Sequence, residues 1–143
     1  MNEQRRLLHT IEIDVRWGDM DAVGHVNNAR YFTYFEGARI GWLLALGRED
    51  TVNGANEGPV IANASCSFRR AITYPARLAV SMFGGTPGRS SFESWYEIRE
   101  RGDPAVLYAD GASRMVWVDR RAGRSIPLPE FIRILLPPAA GPR

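Results

Sequence analysis

The sequence predicts an α+β domain in which one long central helix is wrapped by a curved antiparallel sheet of about five strands. Three observations lead there. Residues 28–46 form the only stretch with the length and apolar content of a long helix, the later stretches alternate as strands do, and short turns join those strands as antiparallel neighbours require.

The first strand is expected over Thr10–Trp17, where Ile11, Ile13, Val15 and Trp17 alternate with Glu12, Asp14 and Arg16. A period of two gives one buried face. The loop GDMDAVGHVN follows, with two carboxylates spaced by two and two glycines. A helix should begin near Asn27 or Asn28, because an asparagine side chain at the N-cap accepts an amide hydrogen bond. Tyr31, Phe35, Ala38, Trp42 and Ala45 make one apolar stripe, and Phe32, Tyr34, Ile40, Leu43, Leu44 and Leu46 add apolar cover on other sides. Such a helix should be wrapped rather than laid on a surface. From Asn28 to Leu46 it would run about 28 Å and stop at Gly47.

Residues 48–59 read as a polar loop. Strands are expected over Val60–Arg70, Ala76–Gly84, Ser90–Arg101 and Ala105–Asp119, divided by turns at Tyr74-Pro75, GGTPG and RGDP. PLPEFIRILL suits a last short helix or strand. The tail, 137–143, is expected to be disordered, leaving 1–136 as one domain, a size that sustains a single core.

Composition excludes more than it identifies. The formal charge is +2, and the 18 basic residues, all arginine, are scattered among 16 acidic ones. That argues against a nucleic-acid partner and removes Schiff-base or phosphate-loop lysine chemistry. Anionic ligand groups would have to meet arginines or backbone amides. The lone Cys66 lies in the alternating ASCSF and reads as a small core residue of a chain in a reducing cytoplasm. The start lacks a signal-peptide pattern, and no apolar run is long enough to span a bilayer. Two histidines and one cysteine, without HxH, HExxH or CxxC spacing, give no metal site, and GxSxG is absent.

The motif W-G-D-x-D-x-x-G-H-V-N-N-x-x-Y spans residues 17–31 and continues as F-E-x-A-R over residues 35–39. It resembles the signature of the hot-dog-fold thioesterases, which include 4-hydroxybenzoyl-CoA thioesterase and the acyl-CoA thioesterases. The resemblance implies the helix-in-sheet fold and hydrolysis of a fatty or aromatic acyl-CoA to free acid and CoA, without metal or organic cofactor. It also implies a homodimer or homotetramer whose site forms between subunits. Elementary chemistry agrees with the place. Thioester hydrolysis needs a base or nucleophile and donors aimed at the developing oxyanion, and a carboxylate before a helix N-terminus supplies both in one stretch.

The resemblance makes Asp21 the catalytic base or nucleophile; otherwise it would be an Asx-turn carboxylate. Asp19 is expected to orient the turn or pair with an arginine. Asn28 matches the position whose backbone amide faces the thioester carbonyl. Gly24 either lets the backbone approach the substrate or simply makes the turn. His25 could hydrogen-bond the carbonyl, tune the carboxylate or satisfy backbone groups. Asn27 and Tyr31 are expected to contact the substrate. Arg89, with Ser90 and Ser91, matches a basic contact to CoA in the 4-hydroxybenzoyl-CoA enzyme, and Arg69 and Arg70 are alternatives. Glu36 is expected to form a structural ion pair with Arg39. Two other readings stay open: a hot-dog hydratase or dehydratase, and a non-catalytic acyl-CoA-binding module.

Overall fold

The computed structural model describes residues 4–138. In chain order the elements are β1 (Arg6–Asp14), α1 (Asn28–Ala45), β2 (Glu57–Phe68), β3 (Arg77–Gly84), β4 (Ser91–Glu100), β5 (Asp103–Asp119), β6 (Arg124–Ser125) and a one-turn α2 (Glu130–Arg133). The strands pair antiparallel in the order β1-β3-β4-β5-β2, with β6 adding to β5. One long helix lies against the inner face of a curled sheet, which is the expected hot-dog fold.

Alternation in β3 and β4 sets the core. Leu78, Val80 and Met82 on one strand, and Phe92, Ser94, Tyr96 and Ile98 on the next, are buried while the residues between them are half-buried. Onto this face α1 turns Tyr31, Tyr34, Phe35, Ala38, Trp42 and Leu43. Each large apolar side chain so buried contributes about 1.5–3 kcal/mol. Phe35 packs directly on the sheet: its ring stacks on Tyr96 at 4.7 Å, and a Cβ at Gly111 would stand 2.5 Å from it. Only glycine fits beneath that ring.

The strand and helix expectations hold within a few residues except at the first strand. β1 pairs from Arg6 with β3 and ends at Asp14. Beyond it, the Val15 amide bonds to the Ala76 carbonyl and the Arg16 amide turns to the Asp19 carboxylate, so the ladder stops. Trp17 therefore leaves the strand and is 73% exposed, not part of the buried face. The helix is covered on one side only, since Phe32, Ile40 and Leu44 remain 36–47% exposed in the single chain. β2 begins at Glu57, inside the expected loop, because Arg120 binds the Ala55 and Thr51 carbonyls and draws that segment onto β5. The last segment resolves as helix. Of the expected tail, 139–143 lies outside the described residues.

Candidate active site

After β1, Trp17–Asp19 forms a single 3-10 turn. Asp19 is only 8% exposed, yet its carboxylate has donors: the Arg16 amide at 3.1 Å and the Tyr34 hydroxyl at 2.8 Å, both on Oδ2. Arg30 Nε lies 3.9 Å from Oδ1, and the Asn27 amide donates to the Asp19 carbonyl at 3.0 Å. Asp19 thus binds the turn to the first two turns of α1. Burial, and then the hydrogen bond to Asp19, push the Tyr34 hydroxyl well above the ordinary tyrosine range.

The next residues make a small closed loop. Met20 and Val26 form an antiparallel bridge, the Asp21 amide donates to the His25 carbonyl at 3.0 Å, and the Gly24 amide donates to the Asp21 carbonyl at 3.1 Å. Gly24 has φ +95°, a conformation an L side chain resists, so the turn needs glycine here. Val26 is fully buried and its amide bonds to the Ile72 carbonyl, anchoring the loop beneath. Asp21 is half-buried. One of its oxygens accepts the Val23 amide at 2.9 Å in an Asx turn; the other has no protein partner among the described residues.

Asn27 is the N-cap: its side-chain oxygen accepts the Ala29 amide at 2.9 Å. Asn28 is the first helical residue, and its amide reaches no protein acceptor among the described residues. That leaves a donor at the positive end of the helix. His25 Nδ1 lies 3.3 Å from the Val26 carbonyl, which can only accept. In that contact Nδ1 carries a proton and donates. Tyr31 is buried, with Phe68 edge-on at 4.8 Å.

Arg89, Ser90 and Ser91 lie elsewhere. The β1–β3 register pairs Asp14 with Arg77 beside the loop and Arg6 with Gly84 at the other end, where the 85–90 hairpin turns. The seven residue steps of β3, from Arg77 to Gly84, separate the two places by about 23 Å. Within one chain the hairpin does not meet Asp21. It is held instead by Arg133, whose Nη2 donates to the Gly88 and Arg89 carbonyls. Arg69 is engaged with Asp110 at 2.9 Å.

The expected Glu36–Arg39 pair is not formed. Glu36 is exposed, whereas Arg39 turns to the sheet and donates to the Tyr96 hydroxyl at 3.3 Å. Tyr96 belongs to a buried hydroxyl group with Ser94 and Ser113, joined at 2.7–2.9 Å, which the sequence reading missed. Its signal was two polar residues at inward positions of alternating strands. Cys66 is half-buried; burial, and then the charge of Asp110, raise its thiol to about 11, which disfavours a thiolate. Among the described residues no group of three His, Cys, Asp or Glu side chains could hold a metal ion, and no helix is long and apolar enough to cross a membrane.

A helix N-terminus with a free donor, preceded by a carboxylate-bearing loop, thus sits against the inner face of a hot-dog sheet. Residues 15–136 match the thioesterase-like superfamily, and the chain belongs to that family. The PA2801 protein of Pseudomonas aeruginosa, a candidate thioesterase, has 40% sequence identity and a TM-score of 0.86, covering 90% of this chain and 98% of its own. A candidate acyl-CoA thioesterase from Xanthomonas campestris has 35% identity and a TM-score of 0.75, covering 86% and 100%. The YsmA protein of Bacillus subtilis is 27% identical over 116 residues, 80% of this chain and 76% of its own.

Proposed function

We propose that the chain hydrolyses the thioester of a fatty or aromatic acyl-CoA to free acid and CoA at the Asp21–Asn28 loop. One observation carries this reading. A half-buried carboxylate with an unpaired oxygen shares a short loop with a helix-terminal amide that has no protein acceptor among the described residues. The acyl-CoA thioesterase assignment of the Xanthomonas relative supports the substrate class.

As general base, Asp21 takes a proton from water while the water oxygen adds to the thioester carbon. The carbonyl electron pair moves onto oxygen, where the Asn28 amide donates to it. Collapse breaks the C–S bond, and the CoA thiolate leaves with the proton that Asp21 returns. As nucleophile, Asp21 would itself attack the carbon and expel CoA thiolate as the C–S bond breaks, leaving an acyl–Asp21 anhydride. Water then opens it to the free acid and the Asp21 carboxylate, and the proton it releases goes to the thiolate. Both routes use only the chain's own groups. In a thiol-trapping assay with acyl-CoAs, the purified protein should release free CoA and Asp21→Asn should lose most of that activity; an unchanged rate overturns the assignment.

The reading extends to a cytoplasmic homodimer or homotetramer built from a single domain over residues 1–136. β2 supports it: this edge strand of 12 residues leaves Val60 and Phe68 more than 40% exposed, and long uncovered edges invite pairing. A CoA contact from Arg89, Ser90 and Ser91 would then come from a second copy, because their own loop is too far away. Light scattering should give at least a dimer at micromolar concentration. A stable monomer would contradict the assembly.

A further inference from the structure

The polar end of the α1 stripe bears on which acyl group the site takes. Asn28, Phe32, Phe35 and Arg39 follow one another at intervals of four, three and four, and so share one face of the helix. From the Asn28 backbone to the Arg39 backbone is about 16 Å along the axis. Helical side chains lean toward the N-terminus, which brings the guanidinium back toward Asn28. Between the ends stand two phenylalanines. Phe32 is 38% exposed and meets the buried Phe35 edge-on at 6.1 Å, so Phe32 is the part of the stripe open to a ligand.

Arg39 is half-buried, and among the described residues no carboxylate lies within ion-pair reach of it. Glu36, one turn back, is exposed and not paired with it. Other half-buried or exposed arginines on the sheet do find acids: Arg99 with Glu97 and Arg114 with Glu93, both at 3.1 Å. Arg39 has instead one hydrogen bond, to Tyr96, and lies 5.7 Å from that ring's centroid. Behind Tyr96 the hydroxyls are saturated. Ser94 donates to the Ser113 carbonyl at 3.0 Å, and the remaining hydroxyl hydrogens are taken up among Ser94, Ser113 and Tyr96. The group can hold the guanidinium but offers it no negative charge. A guanidinium has five donors, and a partly desolvated cation with donors to spare is matched by an anion.

We infer that Arg39 selects acyl groups ending in a carboxylate, bound with the thioester carbonyl at the Asn28 amide, the chain over the exposed Phe32 ring, and the far carboxylate on the guanidinium. This rests on the thioesterase reading and names the substrate class of the same site. The test compares ω-carboxyacyl-CoA thioesters, from succinyl to sebacoyl, with methyl-ended acyl-CoAs of equal length. At the best length the kcat/KM ratio should favour the carboxylated member, mainly through KM. Arg39→Met should lower that ratio roughly ten- to a hundredfold, with Arg39→Lys in between. A ratio unaltered by Arg39→Met overturns the inference. Calorimetry on the wild-type protein with thioether analogues of the two series gives a second answer that needs neither turnover nor a folded variant. The carboxylated analogue must bind more tightly, and equal or weaker binding also overturns the inference. Failure to cleave any thioester, whatever the analogues do, counts against the thioesterase reading instead.

Discussion

Two carboxylates in one loop, Asp19 and Asp21, have been given opposite surroundings. At Asp19 the chain closes on itself: the Arg16 amide and Tyr34 hydroxyl converge on one buried oxygen, and Arg30 stands beside the other. At Asp21 a single Asx-turn bond holds one oxygen, and the residues around it, Ala22, Val23 and Gly24, are exposed. A carboxylate with its lone pairs occupied can only position its neighbours. One with a free oxygen at a partly open site can still accept a proton or attack carbon. On the proposed function, the first builds the platform and the second works from it.

The largest effect should therefore separate activity from stability. Asp21→Asn is expected to lower kcat on the order of a thousandfold or more while leaving the melting temperature nearly unchanged. A large loss of melting temperature with little loss of rate would reverse the two roles. Next comes the helix amide. Proline is tolerated at the first helical position and has no N–H, and Asn27 before it already has the extended backbone that a following proline prefers, φ −62° and ψ 138°. Asn28→Pro should cost on the order of a hundredfold in kcat with the fold intact, whereas Asn28→Ala keeps the donor and most of the rate. Equal losses in both variants would show that the side chain, not the amide, matters.

Much of this loop was legible in the sequence because its signals are local. The asparagine cap, the positive-φ glycine and the carboxylate before a helix each depend on residues a few positions apart. Trp17 was misread for the same reason: the alternation runs through it, but the strand is ended by a carboxylate two residues on and by Ala76, distant in sequence. The Glu36–Arg39 spacing is right for a helical pair, yet the Tyr96 hydroxyl, carried by β4, draws Arg39 away. Arg89 lies at the far end of its own β3 from Asp21, so a shared site would need a second copy. Which end of the sheet a hairpin occupies is set by register across three strands, and no local pattern contains that.

Smaller effects test Asp19 as the platform. Tyr34→Phe removes a buried donor and should cost about 1–3 kcal/mol, read as a fall in melting temperature with kcat little altered. The same contact makes stability sensitive to alkali. Because the folded-state tyrosine is held above its ordinary value of 10.0, its stabilising contribution is complete below that pH and is lost as pH climbs beyond it. Wild-type stability should thus decline above pH 10 more steeply than that of Tyr34→Phe. Parallel decline in the two proteins would remove Tyr34 as the cause.

The smallest expected effect concerns the cap that joins the two regions. Asn27 receives from the Ala29 amide through its side chain and gives its own amide to the Asp19 carbonyl, so it touches the platform with its backbone and the helix with its side chain. Asn27→Ala deletes only the second contact and should cost about 0.5–2 kcal/mol. If the side chain serves the helix alone, KM for acyl-CoA will stay put while the melting temperature falls. If Asn27 also contacts substrate, KM will rise as well, and Asn27→Ser, which restores a capping oxygen at a different reach, will recover the stability but not the KM.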